Sequence, residues 1–262
     1  MHPPLAEQTW LPNQRQNLQE IWDSIDETNA NSSANGVLKR SQETVILRLS
    51  LGGIACIAKI HAPRKLVDRF RPSKAHRAFR AAQLLIARDI PTPEPLALLS
   101  RKSPMPQTAF IYRDEPETQT CRDWIKPRMH HRPEAERRHI AEELLEALLS
   151  LYRAGLYHPD TKCGNLLVQD AETSARRTYL WIDLDGLVPA KQITQKMMTM
   201  NLVQLNGSIG TRITREDRMY FLQRFIESSA EHAWAKEPSV AAFIEAETHR
   251  RLLREVKGIC RA

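Results

Sequence analysis

Residues 156–168 read Leu156-Tyr157-His158-Pro159-Asp160-Thr161-Lys162-Cys163-Gly164-Asn165-Leu166-Leu167-Val168. A histidine, an aspartate, a lysine and an asparagine fall inside one short polar loop. Before it lies residues 132–155, which open on Pro133 and stop at Gly155, the start-and-stop asymmetry of a helix. After it comes the aliphatic run Leu166-Leu167-Val168, which reads as a strand. The spacing His158-x-Asp160-x4-Asn165 matches the catalytic loop H-R-D-x-x-x-x-N of kinase-type phosphoryl-transfer enzymes, and Lys162 stands where a lysine is common in that loop. The competing reading is a capped turn with no chemistry.

Working outward, the loop is followed by a strand, Tyr179-Leu180-Trp181-Ile182, that ends in Asp183. Upstream, Lys59 interrupts the apolar strand Cys56-Ile57-Ala58-Lys59-Ile60, where an unpaired ammonium is costly. The alternative for Lys59 is an edge lysine snorkelling to solvent. Phosphoryl transfer from ATP needs positioning and charge neutralisation more than covalent help. Asp160 is expected to take the proton of the acceptor hydroxyl, and Lys162 to neutralise the transferring phosphoryl. Asn165 and Asp183 are expected to hold Mg²⁺ through oxygen atoms, which hard cations prefer. Lys59 is expected to pair with the α- and β-phosphates, and His158 to brace the loop. Asp185 lies close behind Asp183 and is expected to assist it or to cap the next turn. The implied cofactors are ATP and Mg²⁺.

The chain has 262 residues and is 42% hydrophobic, enough for one large domain or two lobes with cores of their own. No run of apolar residues is long enough to span a bilayer, and the first residues lack the basic start and apolar stretch of a secretory signal. Cys56, Cys121, Cys163 and Cys260 show no metal-site spacing and read as reduced thiols of a cytosolic protein. The net charge is +7, and residues 59–89 alone hold nine Lys or Arg against two Asp, which equals the whole surplus. Such a segment suits a phosphate-rich ligand or an anionic lipid surface. No interleaving of basic and aromatic residues points to nucleic acid.

Residues 1–36 end in a polar Asn/Ser/Gly tract and read as an extension or linker, with a short amphipathic helix around Leu18, Ile21, Trp22 and Ile25. Residues 37–117 read as strand, strand, helix, strand, strand, with Gly52-Gly53 turning the first hairpin. On the helix, Ala75, Phe79, Ala82 and Ile86 share the expected buried face. Residues 118–262 are mostly helical, with helices expected at 214–229 and 238–254 and a core stripe of Ile140, Leu144, Leu148 and Leu151. The expected fold is therefore α+β and bilobal: a strand-rich N-lobe over 37–117 and a helical C-lobe over 118–262. His130, His131 and the Trp124 region read as surface and hinge packing, and Ser208 as a helix or turn hydroxyl.

These landmarks resemble the Kdo/WaaP lipopolysaccharide-core kinases, a branch of the kinase-like fold, over roughly residues 37–230. The resemblance is carried by the strand with Lys59, by residues 71–98 with their Ile90-Pro91-Thr92-Pro93 turn, and by the loop 155–168. It is carried also by Ile182-Asp183-Leu184-Asp185 in place of D-F-G, and by residues 201–226. It implies transfer of the ATP γ-phosphate to a hydroxyl of an inner-core sugar, a heptose or a Kdo. It also implies work at the cytoplasmic face of the inner membrane, on a lipid-linked acceptor. The rivals are a phosphotransferase acting on protein or another small molecule, and a non-catalytic scaffold in core assembly. Three departures from the protein-kinase pattern set expectations for the structure. The helix after Lys59 offers no glutamate to pair with it. No Gly-rich loop precedes Lys59, so phosphate contact is expected from other groups, near Arg40-Ser41-Gln42. Pro159 replaces the arginine of H-R-D, which argues against control by phosphorylation of an activation segment.

Overall fold

The computed structural model describes residues 8–9, 18–30, 36–62, 72–101, 107–125, 129–170, 177–209 and 213–259. The chain divides into two compact units, Met1–Pro116 with Asp183–Asp185, and Glu117–Ile182 with Gly186–Ala262.

The first unit holds β1 (Gln8–Thr9), α1 (Leu18–Ala30), β2 (Val37–Arg40), β3 (Thr44–Leu51) and β4 (Ile54–His61). It continues with α2 (Lys74–Ile86), β5 (Pro95–Arg101) and β6 (Gln107–Arg113). The strands form one antiparallel sheet in the order β1-β5-β6-β4-β3-β2. Gly52 and Gly53 both have positive φ, 56° and 80°, which gives the primed two-residue turn whose twist suits a hairpin. Side chains alternate across a sheet. At β4, Cys56, Ala58 and Ile60 enter a core with Leu47, Leu49 and Leu51 of β3 and with Ile21, Trp22 and Ile25 of α1. The amphipathic stretch expected within residues 1–36 is thus a helix built into the sheet's core. The other parity of β4 carries Ile57, Lys59 and His61.

Helix α2 starts at an N-cap, Ser73, whose hydroxyl accepts from the His76 N–H. It buries Ala75, Ala78, Phe79, Ala81, Ala82 and Leu85. Phe79 meets Phe110 of β6 edge-on, with ring centroids 6.1 Å apart. Ile86, expected on the buried face, is 47% exposed. The buried arc is centred nearer Ala78 and Leu85, and Ile86 is the last helical residue.

The second unit holds β7 (Thr118–Thr120), α3 (Cys121–Ile125), α4 (Glu134–Arg153), β8 (Leu156–Tyr157), β9 (Leu166–Gln169) and β10 (Thr178–Trp181). After these come β11 (Val188–Pro189), α5 (Gln195–Ile209), α6 (Arg215–Glu227) and α7 (Pro238–Ile259). Helix α4 follows Pro133 and stops before Gly155, whose φ of 63° ends it. Ile140, Leu144, Leu148 and Leu151 are all buried, as the stripe requires. Strands β10, β9 and β7 form a three-stranded sheet in that order, and β8 pairs with β11. Helices α6 and α7 fall where helices were expected. Helix α5 was not marked out by its pattern: polar Asn201, Gln204 and Ser208 interrupt its apolar Met198, Leu202, Leu205 and Ile209. The structure puts those polar side chains to internal use.

Candidate active site

The predicted residues fall into two groups, one in each unit. In the first unit, Lys59 projects from β4 with its side chain only 14% exposed, and its ammonium is paired with the Asp183 carboxylate. The expected vacancy opposite Lys59 is therefore filled, by a carboxylate far along the chain rather than by a helix glutamate. Asp183 itself is held at φ 61°, a left-handed conformation that a non-glycine residue adopts at a cost of about 1–2 kcal/mol. Strain of this kind collects at functional sites, where surrounding structure over-determines it. Helix α2 contributes an arginine where a glutamate was sought. Arg77 Nε donates to the Asp185 carbonyl at 2.8 Å and its Nη1 to the Pro72 carbonyl at 3.1 Å, tying α2 to the Asp183–Asp185 segment.

The turn between β2 and β3 is tight. Ser41 N–H donates to Thr44 O at 2.9 Å, and Thr44 N–H donates to Ser41 Oγ at 3.1 Å. Both amides are consumed within the turn, so the expected backbone cradle near Arg40-Ser41-Gln42 loses the Ser41 donor. The turn is instead tethered: Glu43 takes the Lys74 ammonium at 3.0 Å and its carbonyl accepts from Ala62 N–H at 3.0 Å. His61, at the end of β4, is buried, with its Nδ1 3.3 Å from Thr44 Oγ1. Burial, and then the charges of Lys59 and Lys74, push its pKa down to about 4, so it is neutral at physiological pH.

In the second unit, the loop between β8 and β9 collects Asp160, Lys162 and Asn165. Asn165 Nδ2 donates to Asp160 Oδ2 at 3.0 Å and to the Asp160 carbonyl at 2.8 Å. Lys162 Nζ lies 2.9 Å from the same Oδ2. Two donors thus converge on one carboxylate oxygen of Asp160. The Asn165 Nδ2 is thus spent on Asp160. The Asn165 carbonyl accepts from Ile182 N–H at 3.0 Å, and Asp183 is the next residue in the chain. His158 is 1% exposed and lies 5.5 Å from the Trp181 ring; its Nδ1 accepts from Asp160 N–H at 3.1 Å. That is the bracing role expected of it.

Gln204 and Asn201, which the sequence did not flag, and Ser208, read there only as a helix or turn hydroxyl, hold this loop. Gln204 and Asn201 of α5 bond its backbone on either side of Asp160. Ser208 Oγ accepts from Cys163 N–H at 2.9 Å and donates to Leu205 O, so this helix hydroxyl serves the loop. Polar residues at intervals of three and four along an otherwise apolar helix were the signal available. Trp124 is buried, not at a surface. Its indole lies between the guanidiniums of Arg132 and Arg177, at 5.1 and 4.9 Å, and donates to Asp170. Cys56, Cys121 and Cys163 are free and buried, and Cys260 lies outside the described residues. A hydrogen bond with Cys163, and then burial, raise the Cys121 thiol well above its usual range.

The lipopolysaccharide kinase (Kdo/WaaP) family model matches residues 23–225. No curated protein matches the chain. A solved structure described as "WaaP in complex with acyl carrier protein" is similar at 19% identity and a TM-score of 0.67, over 94% of this chain and 99% of that one. At that identity the likeness is one of fold, and it agrees with the antiparallel first unit and helical second unit seen here. The family match covers most of the sequence, from within α1 to within α6, and includes every residue of both groups: the chain belongs to the lipopolysaccharide kinase (Kdo/WaaP) family.

Proposed function

We propose that the chain transfers the γ-phosphate of ATP, with Mg²⁺, to a sugar hydroxyl of the lipopolysaccharide inner core, a heptose or a Kdo. The observation that carries this reading is the arrangement at Asp160. Asn165 and Lys162 occupy one carboxylate oxygen and leave the other to accept a proton. Asp160 orients the acceptor hydroxyl and takes its proton as the O–P bond forms, as a positioned general base does. Lys162 sits on the base until the γ-phosphoryl provides a stronger anion to neutralise. Lys59 meets the α- and β-phosphates, and its pairing with Asp183 supports a working nucleotide site over a scaffold. Asn165 and Asp183 would hold the metal, which supplies charge neutralisation along the phosphates. Residues 37–117 act as the nucleotide lobe and 118–262 as the acceptor lobe. Pro159 in place of arginine suits an enzyme that is not switched by phosphorylation of its own activation segment.

The acceptor class fits the charge. A sugar core rich in carboxylate and phosphate, at an anionic membrane face, complements the basic segment 59–89. The protein works there as a cytoplasmic, peripheral enzyme; among the described residues no helix is long and apolar enough to cross a membrane. Purified protein with ATP, Mg²⁺ and dephosphorylated core acceptor should yield phosphorylated core. Phosphorylation of proteins or small alcohols with the core untouched would move the assignment to another acceptor class. Absence of any ATP-induced thermal shift would move it to a scaffold.

A further inference from the structure

Asp160 lies between two peptide planes, and one side chain reaches both. The plane before it carries the Pro159 carbonyl, and the plane after it carries the Thr161 N–H. Gln204 Nε2 donates to the Pro159 carbonyl at 2.5 Å, and Gln204 Oε1 accepts from the Thr161 N–H at 2.9 Å. The same Oε1 accepts from the Thr161 hydroxyl at 3.0 Å. Peptide groups and the glutamine amide are all planar and stiff. Fixing the two planes that flank a residue fixes its φ and ψ, and with them the direction of its Cβ. Gln204 thus bears on the direction in which the Asp160 Cα–Cβ bond leaves the backbone, while Asn165 and Lys162 hold the carboxylate beyond it.

The other bonds in the loop act on one plane at a time. His158 Nδ1 accepts from Asp160 N–H on the first plane. Asn165 Nδ2 and Lys162 N–H donate to the Asp160 carbonyl on the second. The Gln204 amide spans both. Its place is itself held: Asn201, three residues earlier on α5, donates to the His158 carbonyl at 2.9 Å and accepts from the Tyr152 hydroxyl of α4 at 2.9 Å. The Thr161 hydroxyl, on a residue only 1% exposed, shares its one proton between Gln204 Oε1 and, at 3.3 Å, the Asn201 carbonyl. The polar residues Asn201, Gln204 and Ser208 of α5 are thus turned onto the loop.

We propose that Gln204 is a positioning residue for the base: its amide clamps the peptides on both sides of Asp160 and holds the carboxylate for proton transfer. The clamp does the work without an arginine at position 159, where proline supplies a fixed φ and a carbonyl for Gln204 to grip. This rests on the reading of Asp160 as the base.

The test compares wild type, Gln204→Met, Gln204→Glu, Asp160→Ala and the double variant Asp160→Ala/Gln204→Met. Methionine keeps the length of the side chain and removes both bonds. Glutamate keeps the acceptor for Thr161 N–H and loses the donor to Pro159, so it serves if the methionine variant folds poorly. Misplacement of a base by a fraction of an ångström should lower kcat by about 10- to 100-fold with KM for ATP unchanged, and glutamate should recover part of the loss. In the Asp160→Ala background the Gln204→Met change should have no further effect on the residual rate, since the group it positions is gone. The same fold loss in that background, or an unchanged kcat in the single variants, overturns the proposal. Hydrogen exchange at the Thr161 amide separates this from failure of the kinase reading. If wild type transfers no phosphate, the base assignment fails and no role in proton transfer survives for Gln204. If wild type is active and the Thr161 amide exchanges no faster in Gln204→Met, the clamp itself is wrong.

Discussion

Asp183 joins a side-chain pairing to a fixed place in the backbone. It holds the Lys59 ammonium, and it stands in the chain directly after the residue bonded to Asn165. Lys59→Met removes the cation and leaves Asp183 without that partner in a strained backbone conformation. The expected outcome is a loss of phosphoryl transfer of about 100-fold or more with folding retained, measured as initial rate against ATP alongside a thermal melt. Gly186 offers a second probe at this scale. A Cβ there would meet Pro159 Cγ at 2.8 Å, closer than side chains normally come, so Gly186→Ala should push on the loop. A fall in kcat of about tenfold with a small change in Tm is predicted. That the loop gathers His158, Asp160, Lys162 and Asn165 was legible because they are neighbours in sequence. Lys59 stood out as a charge in an apolar strand. Its partner did not, because the two residues are 124 positions apart and no local pattern records a contact of that range.

Among the elements, α2 and α4 show what sequence periodicity captures and what it misses. The buried stripe of α4 followed from spacing alone. The same helix also buries Glu143, which accepts from Arg177 Nη1 at 2.9 Å and from Arg177 N–H at 3.1 Å, with Tyr179 Oη at 3.3 Å. Removing one partner leaves the other charge buried, so Glu143→Ala should destabilise the protein by about 3–5 kcal/mol in urea unfolding. A glutamate on a helix gives no sign in sequence that it faces inward. On α2, Leu85→Ala should cost about 2–5 kcal/mol, and Ile86→Ala should cost far less because the side chain is half exposed. Helix α5 was the least legible element. Its hydrophobic pattern is broken by residues that face another part of the protein, and an amphipathic reading assigns such residues to water.

At the scale of the whole molecule, α1 and the two-unit division were partly legible, since Leu18, Ile21, Trp22 and Ile25 repeat at helical spacing and the chain shifts from strand-rich to helix-rich. What composition could not say is that α1 belongs to the sheet's core. Acid stability follows from that first unit. His61 is held neutral in the fold, with a pKa near 4, while an unfolded chain takes up the proton near 6.5. Between those values the unfolded state binds more protons, so stability is full above pH 6.5 and falls as the pH drops toward 4. The loss from this one group is up to about 3 kcal/mol. Denaturant titrations at stepped pH should show that slope in wild type and its absence in His61→Gln.

The central claim is that Asp160 drives phosphate transfer to the lipopolysaccharide core. Mass spectrometry of core oligosaccharide from a deletion strain, complemented with wild type or with Asp160→Asn, tests it most directly. Wild type should restore a phosphate that the deletion lacks, and Asp160→Asn, expressed at the same level, should not. Restoration of that phosphate by Asp160→Asn would contradict the account.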